Sequence, residues 1–194
     1  MARTYTLSRP TTRSSRTRQP PVSAEPRLVR LGKRKVAVVE TKGEPGVAGP
    51  KALPSLFRTV YTMKFALKRA ARADFRVGPL LARWPNGADQ PMTSWTGLWA
   101  LPVPPGTRAL PALETEHPVR LETWDYGGRV AEILHVGPWS EEARSIERLH
   151  DFIARSGYEV TGPHEEEYLT TPKAKIQKTI LRYPVRKRAA ARRR

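Results

Sequence analysis

The stretch HEEEYLTTP (residues 164–172) places three consecutive carboxylates beside a tyrosine and a leucine in a strongly basic chain. Side chains alternate between the two faces of a β-strand, so Glu166 and Tyr168 point to one face while Glu165 and Glu167 point to the other. The alternation alone leaves open which face is packed. If the leucine after Tyr168 marks the packed face, Glu166 looks toward a cleft, and its two neighbours must reach a rim or pair with basic residues.

The first half of the chain is predicted to contain a strand, a helix and two further strands, in that order. A β-branched run at residues 34–43 predicts a strand, and apolar residues near helical spacing predict a helix over residues 50–72. Pro54 is expected near the first turn of that helix. Two strands are then predicted, at residues 74–84 and 93–104.

The same order of elements returns in the second half of the chain. Two β-rich runs within residues 119–137 are typical of a hairpin, and an apolar stripe predicts a helix within residues 138–158, closed by Gly157. Residues 164–172 and 178–185 supply two closing strands. A duplicated β-α-β-β unit predicts an α+β fold, in which one antiparallel sheet carries both helices on one face and leaves the other face free for binding.

Most of the positive charge lies at the two ends of the chain. Residues 1–35 hold ten Lys/Arg and one acid, and residues 186–194 hold six Lys/Arg and no acid, so the two ends carry nearly all of the net charge of +17. The residues between them are almost neutral. The predicted organisation is a disordered basic tail, one globular domain and a second basic tail: residues 1–34, 35–187 and 188–194.

Composition narrows the possible functions. The chain has no cysteine, which excludes disulfides, thiol nucleophiles and thiolate metal sites. No run approaches the length of a membrane span, and a cytoplasmic location is expected. The basic tails predict either non-specific, salt-sensitive contact with DNA or merely improved solubility.

Tryptophan is the residue type that points most clearly to a binding site. Two interpretations are open. Large aromatic residues are often buried for packing alone. So many of them on one sheet also suit a cleft for a flat, apolar small molecule. The five candidates are Trp84, Trp95, Trp99, Trp124 and Trp139.

The residues from about 35 to 187 resemble the GyrI-like small-molecule-binding family. The matching segments, in order, are VETKGEP, VYTMKFALK, DFRVGPL, HVGPWSEE, LHDFIARSGY, HEEEYLTTP and KTILRYPVRK. The resemblance implies two β-α-β-β modules related by a pseudo-twofold axis, with an aromatic ligand cleft that contains a glutamate. The Glu-x-Tyr-Leu signature of the family falls on Glu166–Leu169, which selects Glu166 as that glutamate.

The resemblance implies two possible functions. Some full-length relatives are similar to hydrolases that open the cyclopropane ring of DNA-alkylating compounds of the CC-1065, duocarmycin and yatakemycin type, which gives resistance to a genotoxic antibiotic. Others bind drugs without chemistry, as effector-binding domains do. Neither function is expected to need a metal or other cofactor.

The hydrolytic function assigns roles to particular residues. Adding water to a cyclopropane conjugated with a dienone needs a base for the water and a donor near the developing phenolate. Glu166 is the expected base and Tyr61 its expected catalytic partner, with Tyr168 as the alternative for that role. Besides the tryptophans, His135 and Tyr168 are expected to contact the substrate, although a lone histidine is often a structural residue.

Overall fold

The computed structural model describes residues 22–70, 75–87 and 90–189. The strands are β1 (Arg27–Val29), β2 (Arg34–Lys42), β3 (Leu80–Trp84), β4 (Thr96–Pro102), β5 (Val119–Trp124), β6 (Val130–Val136), β7 (Tyr158–Val160), β8 (His164–Tyr168) and β9 (Lys178–Lys187). The helices are α1 (Pro45–Arg69) and α2 (Ala143–Arg155), and single 3-10 turns precede β4 and α2 at Met92–Ser94 and Trp139–Glu141. Within these residues, neither helix has the length and hydrophobicity needed to cross a lipid bilayer.

The strands form one antiparallel sheet in the order β1-β6-β9-β8-β3-β4-β2-β5, and β7 pairs with the far end of β9. The order is symmetric about the β3–β8 pair, because each half contributes one strand, a helix and two strands. Ala82 lies opposite Glu166 at this central pair. The register of β8 against β3 therefore determines which side chains of the two halves meet.

Both helices lie on the same face of the sheet. Helix α1 packs on β2 and β4, and α2 packs on β6 and β9. Leu56 and Val60 of α1 are fully buried in the first core cluster, and Leu149 of α2 is fully buried in the other. The predicted α+β fold, with one antiparallel sheet and its helices on one face, is confirmed, and it has the architecture expected of a GyrI-like protein.

Helix α1 begins at Pro45, five residues earlier than the sequence predicted. Pro45 occupies the first helical position, where a missing N–H costs nothing. Pro54 consequently lies in the third turn rather than near the first. The prediction placed the start too late because Gly and Pro are so frequent before residue 50 that the segment is typical of a turn.

The two β-rich runs of residues 119–137 do not form the predicted hairpin. Strand β5 pairs with β2, whereas β6 pairs with β1 and β9. Four consecutive residues of β2, Val36–Val39, are fully buried, so this strand needs neighbours at both edges. Strand β5, from the second half, fills one of those edges, and β1, from the first half, pairs with β6 of the second half.

Strand β1 also corrects the predicted extent of the first tail. Residues 27–29 fall within the predicted tail of residues 1–34, yet they pair with β6. Residues 1–21 and 190–194 lie outside the described residues, so the prediction for those parts of the tails stays a prediction.

The face opposite the helices carries an ionic network instead of a free binding surface. Glu165 is completely buried there, and its Oε2 accepts a hydrogen bond from Arg83 Nε at 2.7 Å. Its Oε1 accepts a bond from the Tyr126 hydroxyl at 2.8 Å and lies 3.5 Å from Arg182 Nη1. Burial first, and then the charge of Glu165, raise the pKa of Tyr126, which keeps this hydroxyl protonated as a donor.

The network continues across the neighbouring strands. Arg182 donates to Glu167 at 2.5 Å and to Glu132 at 2.9 Å, while Arg27 and Arg34 contact Glu132 and Glu167 from the other side. Burial opposes ionisation of Glu167, but Arg182 and Arg34 hold the pKa of its carboxyl below the usual range. Two of the three consecutive glutamates are therefore counterions on the face away from the helices.

We expect Glu165→Ala to lower the free energy of unfolding by about 3–5 kcal/mol, because Arg83 and Arg182 would lose a buried counterion. The matched control is Glu159→Ala, which removes the partner of exposed Arg186 and should cost less than about 1 kcal/mol. Urea denaturation of the variants measures both values. Equal losses would show that the buried network does not stabilise the sheet.

Candidate functional site

Four of the five tryptophans and one tyrosine form a continuous aromatic cluster on the helix face, between α1 and α2. Ring centroids lie 5.5 Å apart for Trp95 and Trp84, 5.2 Å for Trp84 and Trp99, 6.2 Å for Trp99 and Tyr168, and 5.3 Å for Tyr168 and Trp139. The cluster runs from the first half of the protein to the second. We call these five residues the aromatic cluster.

Strand register builds this cluster. Trp99 lies opposite Ala82, which lies opposite Glu166, so all three share one row on the helix face. Trp84 and Tyr168 lie on the same face, because each is two residues from a member of that row. Each indole N–H of the cluster also has a protein acceptor.

Two glycines make room for the indole rings. A Cβ atom on Gly49 of α1 would lie 2.6 Å from the ring of Trp99, and one on Gly97 would lie 2.8 Å from the ring of Trp84. These distances are shorter than ordinary van der Waals contact. Gly49 therefore lets α1 approach Trp99 closely, and Gly97 leaves room beside β4 for the ring of Trp84.

Glu166 lies beneath the cluster, with 5% of its surface exposed. Its Oε1 accepts a hydrogen bond from Trp84 Nε1 at 2.5 Å and lies 3.5 Å from His164 Nε2. Burial, and then the charge of Glu166, raise the pKa of the Tyr168 hydroxyl, which lies close to that carboxylate. Glu166 is thus a buried carboxylate with one indole donor, Trp84, in aromatic surroundings.

A second carboxylate, Glu142, lies next to Glu166 at the start of α2. Ligand atoms of Glu142, His164 and Glu166 all lie within 4.8 Å of one another. Burial, and then the charge of Glu166, raise the pKa of Glu142 to about 8. Glu142 Oε2 and both ring nitrogens of His164 are buried without a hydrogen-bond partner in the described part of the chain. Among the described residues, this is the group whose donor atoms could hold a cation.

The structure places Trp124 outside the aromatic cluster. The guanidinium of Arg83 lies over its ring at 3.9 Å, on the face of the ionic network. Trp124 is opposite Arg34 in the register, and therefore points away from the helices. The prediction that Trp124 lines the ligand site does not agree with this placement, because sequence spacing alone could not say which face of β5 is covered by helices.

His135 is enclosed by protein atoms at the base of α2. Its Nε2 lies 3.1 Å from the Pro138 carbonyl and its Nδ1 lies 3.0 Å from Ser145 Oγ. A carbonyl can only accept, so Nε2 donates, and Nδ1 of the neutral ring accepts from the serine hydroxyl. Both nitrogens are occupied, and the role that this geometry supports for His135 is to hold the turn that carries Trp139 and Glu142.

Tyr61 lies on the solvent side of α1, with 40% of its surface exposed. Its ring packs between those of Phe57 and Phe65, at centroid distances of 6.4 and 6.0 Å. Its hydroxyl makes no hydrogen bond within the described residues. The structure thus favours Tyr168 over Tyr61 as the tyrosine that acts together with Glu166.

The aromatic side chains pack on one another where the resemblance implied a cleft. Two surface cavities of about 410 Å³ each lie near the cluster, one beside Thr41 under α1 and the other beside Pro138 at the start of α2. Glu166 lines neither cavity. Trp139 is the most exposed ring of the cluster, at 39%, and packs edge-on against Tyr168.

Sequence reasoning missed Glu142 as a site residue. Its position in PWSEE made it an ordinary acidic residue in the first turn of a helix. Strand alternation puts His164 on the face of Glu166, yet no signal in the sequence connected it with Glu142. Only the packing of α2 on β6 and β9 brings the beginning of α2, with Glu142, next to His164 and Glu166.

Comparison with solved structures supports the fold. An uncharacterised conserved protein from Listeria innocua is 26% identical, with a TM-score of 0.75 over 86% of this chain and 94% of that one. A hydrolase from Listeria innocua is also 26% identical, with a TM-score of 0.72 over 85% of this chain and 93% of that one. The EcmrR C-terminal domain, at 11% identity and a TM-score of 0.52 over 84% of this chain and 98% of that one, shares the fold alone. No protein-family model and no curated protein match the chain.

We expect Gly49→Ala to destabilise the protein by about 1–3 kcal/mol, because its methyl group would overlap the ring of Trp99. Gly46→Ala, in the same helix and with open space around it, is the control, and it should be neutral or stabilising by up to about 1 kcal/mol. Thermal unfolding, followed by tryptophan fluorescence, measures both effects. A stabilised Gly49→Ala variant would contradict the close contact between α1 and the cluster.

Proposed function

We propose that this protein is a hydrolase that adds water to the cyclopropane ring of DNA-alkylating natural products and opens that ring. The observation that carries the proposal is Glu166, a buried carboxylate that accepts a hydrogen bond from Trp84 and lies close to Tyr168 within the aromatic cluster. Similarity to structures named as hydrolases supports the reaction type. The choice of a cyclopropane substrate comes from the family resemblance and from the flat shape that an aromatic site selects.

Glu166 acts as the general base in this proposal. The oxygen of water forms a bond to the methylene carbon of the cyclopropane while the bond from that carbon to the ring breaks. The released electron pair makes the dienone aromatic and leaves a phenolate, and the water proton passes to Glu166. Because Trp84 donates to its Oε1, Glu166 is held in one orientation for this transfer.

The aromatic cluster provides the surface for the flat ring system of the substrate. Stacking between indole rings would bind such a compound without polar contacts. Entry to Glu166 requires a ring to move, and Trp139 is the member with the greatest exposure and a single 3.2 Å hydrogen bond to Thr179. We therefore assign entry of the substrate to displacement of Trp139.

A second candidate function is binding without chemistry. A carboxylate surrounded by aromatic rings also suits a bound cationic or planar drug, and the same residues would then sequester the drug. This alternative predicts stoichiometric complex formation and no product. Turnover separates the two functions.

The test is incubation of the purified protein with a duocarmycin-type cyclopropane compound, followed by chromatography and mass spectrometry of the water-added product. We expect multiple turnovers for the native protein and a loss of at least about 100-fold in Glu166→Gln, because the base is removed. Tyr168→Phe should lower the rate more than Tyr61→Phe, since only Tyr168 contacts Glu166. Binding without product would assign the protein to drug sequestration instead.

A further inference from the structure

The outer side of helix α1 carries a row of exposed aromatic rings. Phe57, Tyr61 and Phe65 follow one another at intervals of four residues, so they lie on one side of the helix. Their exposed fractions are 37%, 40% and 50%, and neighbouring ring centroids lie 6.4 and 6.0 Å apart. The opposite side of the helix packs on the sheet through Leu56 and Val60, which are fully buried. The three rings, which we call the aromatic row, are therefore not part of the core.

The charge of α1 has a single sign. The helix contains five basic residues and no acidic one. Arg58, Lys68 and Arg69 are exposed, and none of them forms an ion pair within the described residues. Arg58 comes three residues before Tyr61 and Lys68 comes three residues after Phe65, which places one base on each side of the aromatic row. Arg69, four residues after Phe65, continues the row itself.

The surroundings of the aromatic row leave this charge in place. Arg58 Nη1 donates to the backbone carbonyl of Glu114 at 3.5 Å, while the Glu114 carboxylate forms no ion pair with a described residue. Lys64 donates to the carbonyl of Phe75 at 2.5 Å, and its ammonium lies 5.7 Å from the centre of the Phe75 ring. These contacts orient the bases without neutralising them. An anionic partner would therefore complement this side of α1.

Charge also distinguishes between the possible occupants of the aromatic row. A second copy of this chain would bring an identical basic helix against the first in a twofold contact, and like charges oppose such pairing. The two ends of the chain are strongly basic as well, so the same repulsion acts on them. An anion with flat, apolar faces suits both the bases and the rings.

Single-stranded nucleic acid has both of these properties. Its phosphates pair with Lys and Arg, and its unpaired bases stack on aromatic side chains. A paired duplex has no open base faces for such stacking. An anionic membrane also attracts basic residues, but a helix that lies in a membrane surface needs a broad apolar face. The apolar face of α1 is packed on β2 and β4, and the aromatic row is only one side chain wide.

We propose that the aromatic row of α1, together with the bases at its sides, is a binding surface for single-stranded nucleic acid. Phe57 and Phe65 lie about 12 Å apart along the helix axis, which suits a run of a few nucleotides. The basic ends of the chain would add phosphate contacts but little stacking, because residues 1–35 and 186–194 contain one aromatic residue, Tyr5. The surface does not include Glu166, so the proposal stands apart from the hydrolase function.

The direct test is photo-crosslinking of the full native chain to an oligodeoxythymidine of about 12 nucleotides that carries 5-iodouracil. Irradiation joins this base to an aromatic side chain stacked on it, and mass spectrometry of the peptides locates the adducts. We expect adducts on the aromatic row. Adducts confined to the basic ends of the chain, or to other parts of the domain, would overturn the proposal without any variant having to fold.

Fluorescence anisotropy with the same oligonucleotide tests the role of the rings. Phe57→Ala/Phe65→Ala should bind at least about tenfold more weakly than the native chain, because two base–ring stacks are lost. The matched control, Phe57→Tyr/Phe65→Tyr, keeps both rings and should bind within about twofold of the native chain. Circular dichroism establishes that each variant is folded. Equal affinities of the two folded variants would overturn the proposal.

Salt dependence tests the role of the bases. Lys68→Gln/Arg69→Gln should reduce the slope of log K against log salt by about 1.4, since each phosphate contact on a single strand contributes about 0.7. A duplex of the same length should bind more weakly than the single strand, and the alanine variant should bind it as the native chain does. Oligouridine in place of oligodeoxythymidine shows whether RNA or DNA is preferred. An unchanged slope would remove the bases from the surface.

Two further measurements address the other occupants. Ring-dependent binding to phosphatidylserine-containing vesicles, with no ring-dependent binding to the oligonucleotide, would overturn the proposal in favour of a membrane surface. Sedimentation of the native chain should show no dimer that depends on the rings. A dimer that Phe57→Ala/Phe65→Ala dissociates would assign the aromatic row to self-association instead.

Discussion

The antiparallel pairing of β3 with β8 is the constraint on which the rest of the structure depends. It joins the two halves at the centre of the sheet, and its register places Ala82 opposite Glu166 and Arg83 opposite Glu165. Because neighbouring residues on a strand point to opposite faces, one glutamate enters the aromatic cluster while the residue before it enters the ionic network. A shift of one residue would exchange these environments and bury charges without partners on both faces.

Buried carboxylates have different partners on the two faces of the sheet. On the network face, Glu165 and Glu167 have arginine partners and hydrogen-bond donors, so their charges are compensated and their role is structural. On the helix face, Glu166 has an indole donor, a histidine and a second glutamate as neighbours, and no arginine or lysine among the described residues. A buried carboxylate of this kind in aromatic surroundings is the reason for placing the candidate site on the helix face.

Much of the fold follows from periodicity and from the repeated order of elements. The α-helices, the closing strands and the α+β class could be predicted because their apolar patterns are local properties of the chain. The hairpin of residues 119–137 was wrong because pairing is not a local property: β2 is buried on both faces and takes β5 as its outer neighbour. Strand β1 escaped prediction for the same reason, since three residues in a basic segment carry no pattern of their own.

The features of the candidate site were likewise predictable from the sequence only in part. The sequence by itself determined that Glu166 and Tyr168 share one face of a strand, that four tryptophans fall on or beside predicted strands, and that no thiol takes part. Only the tertiary structure decided that the helices cover that face, that Trp124 and Tyr61 lie apart from Glu166, and that Glu142 lies beside it. The physical reason is that alternation along a strand is set by backbone geometry within a few residues, whereas the position of Glu142 depends on how α2 and the distant strands β6 and β9 bury their apolar surfaces together.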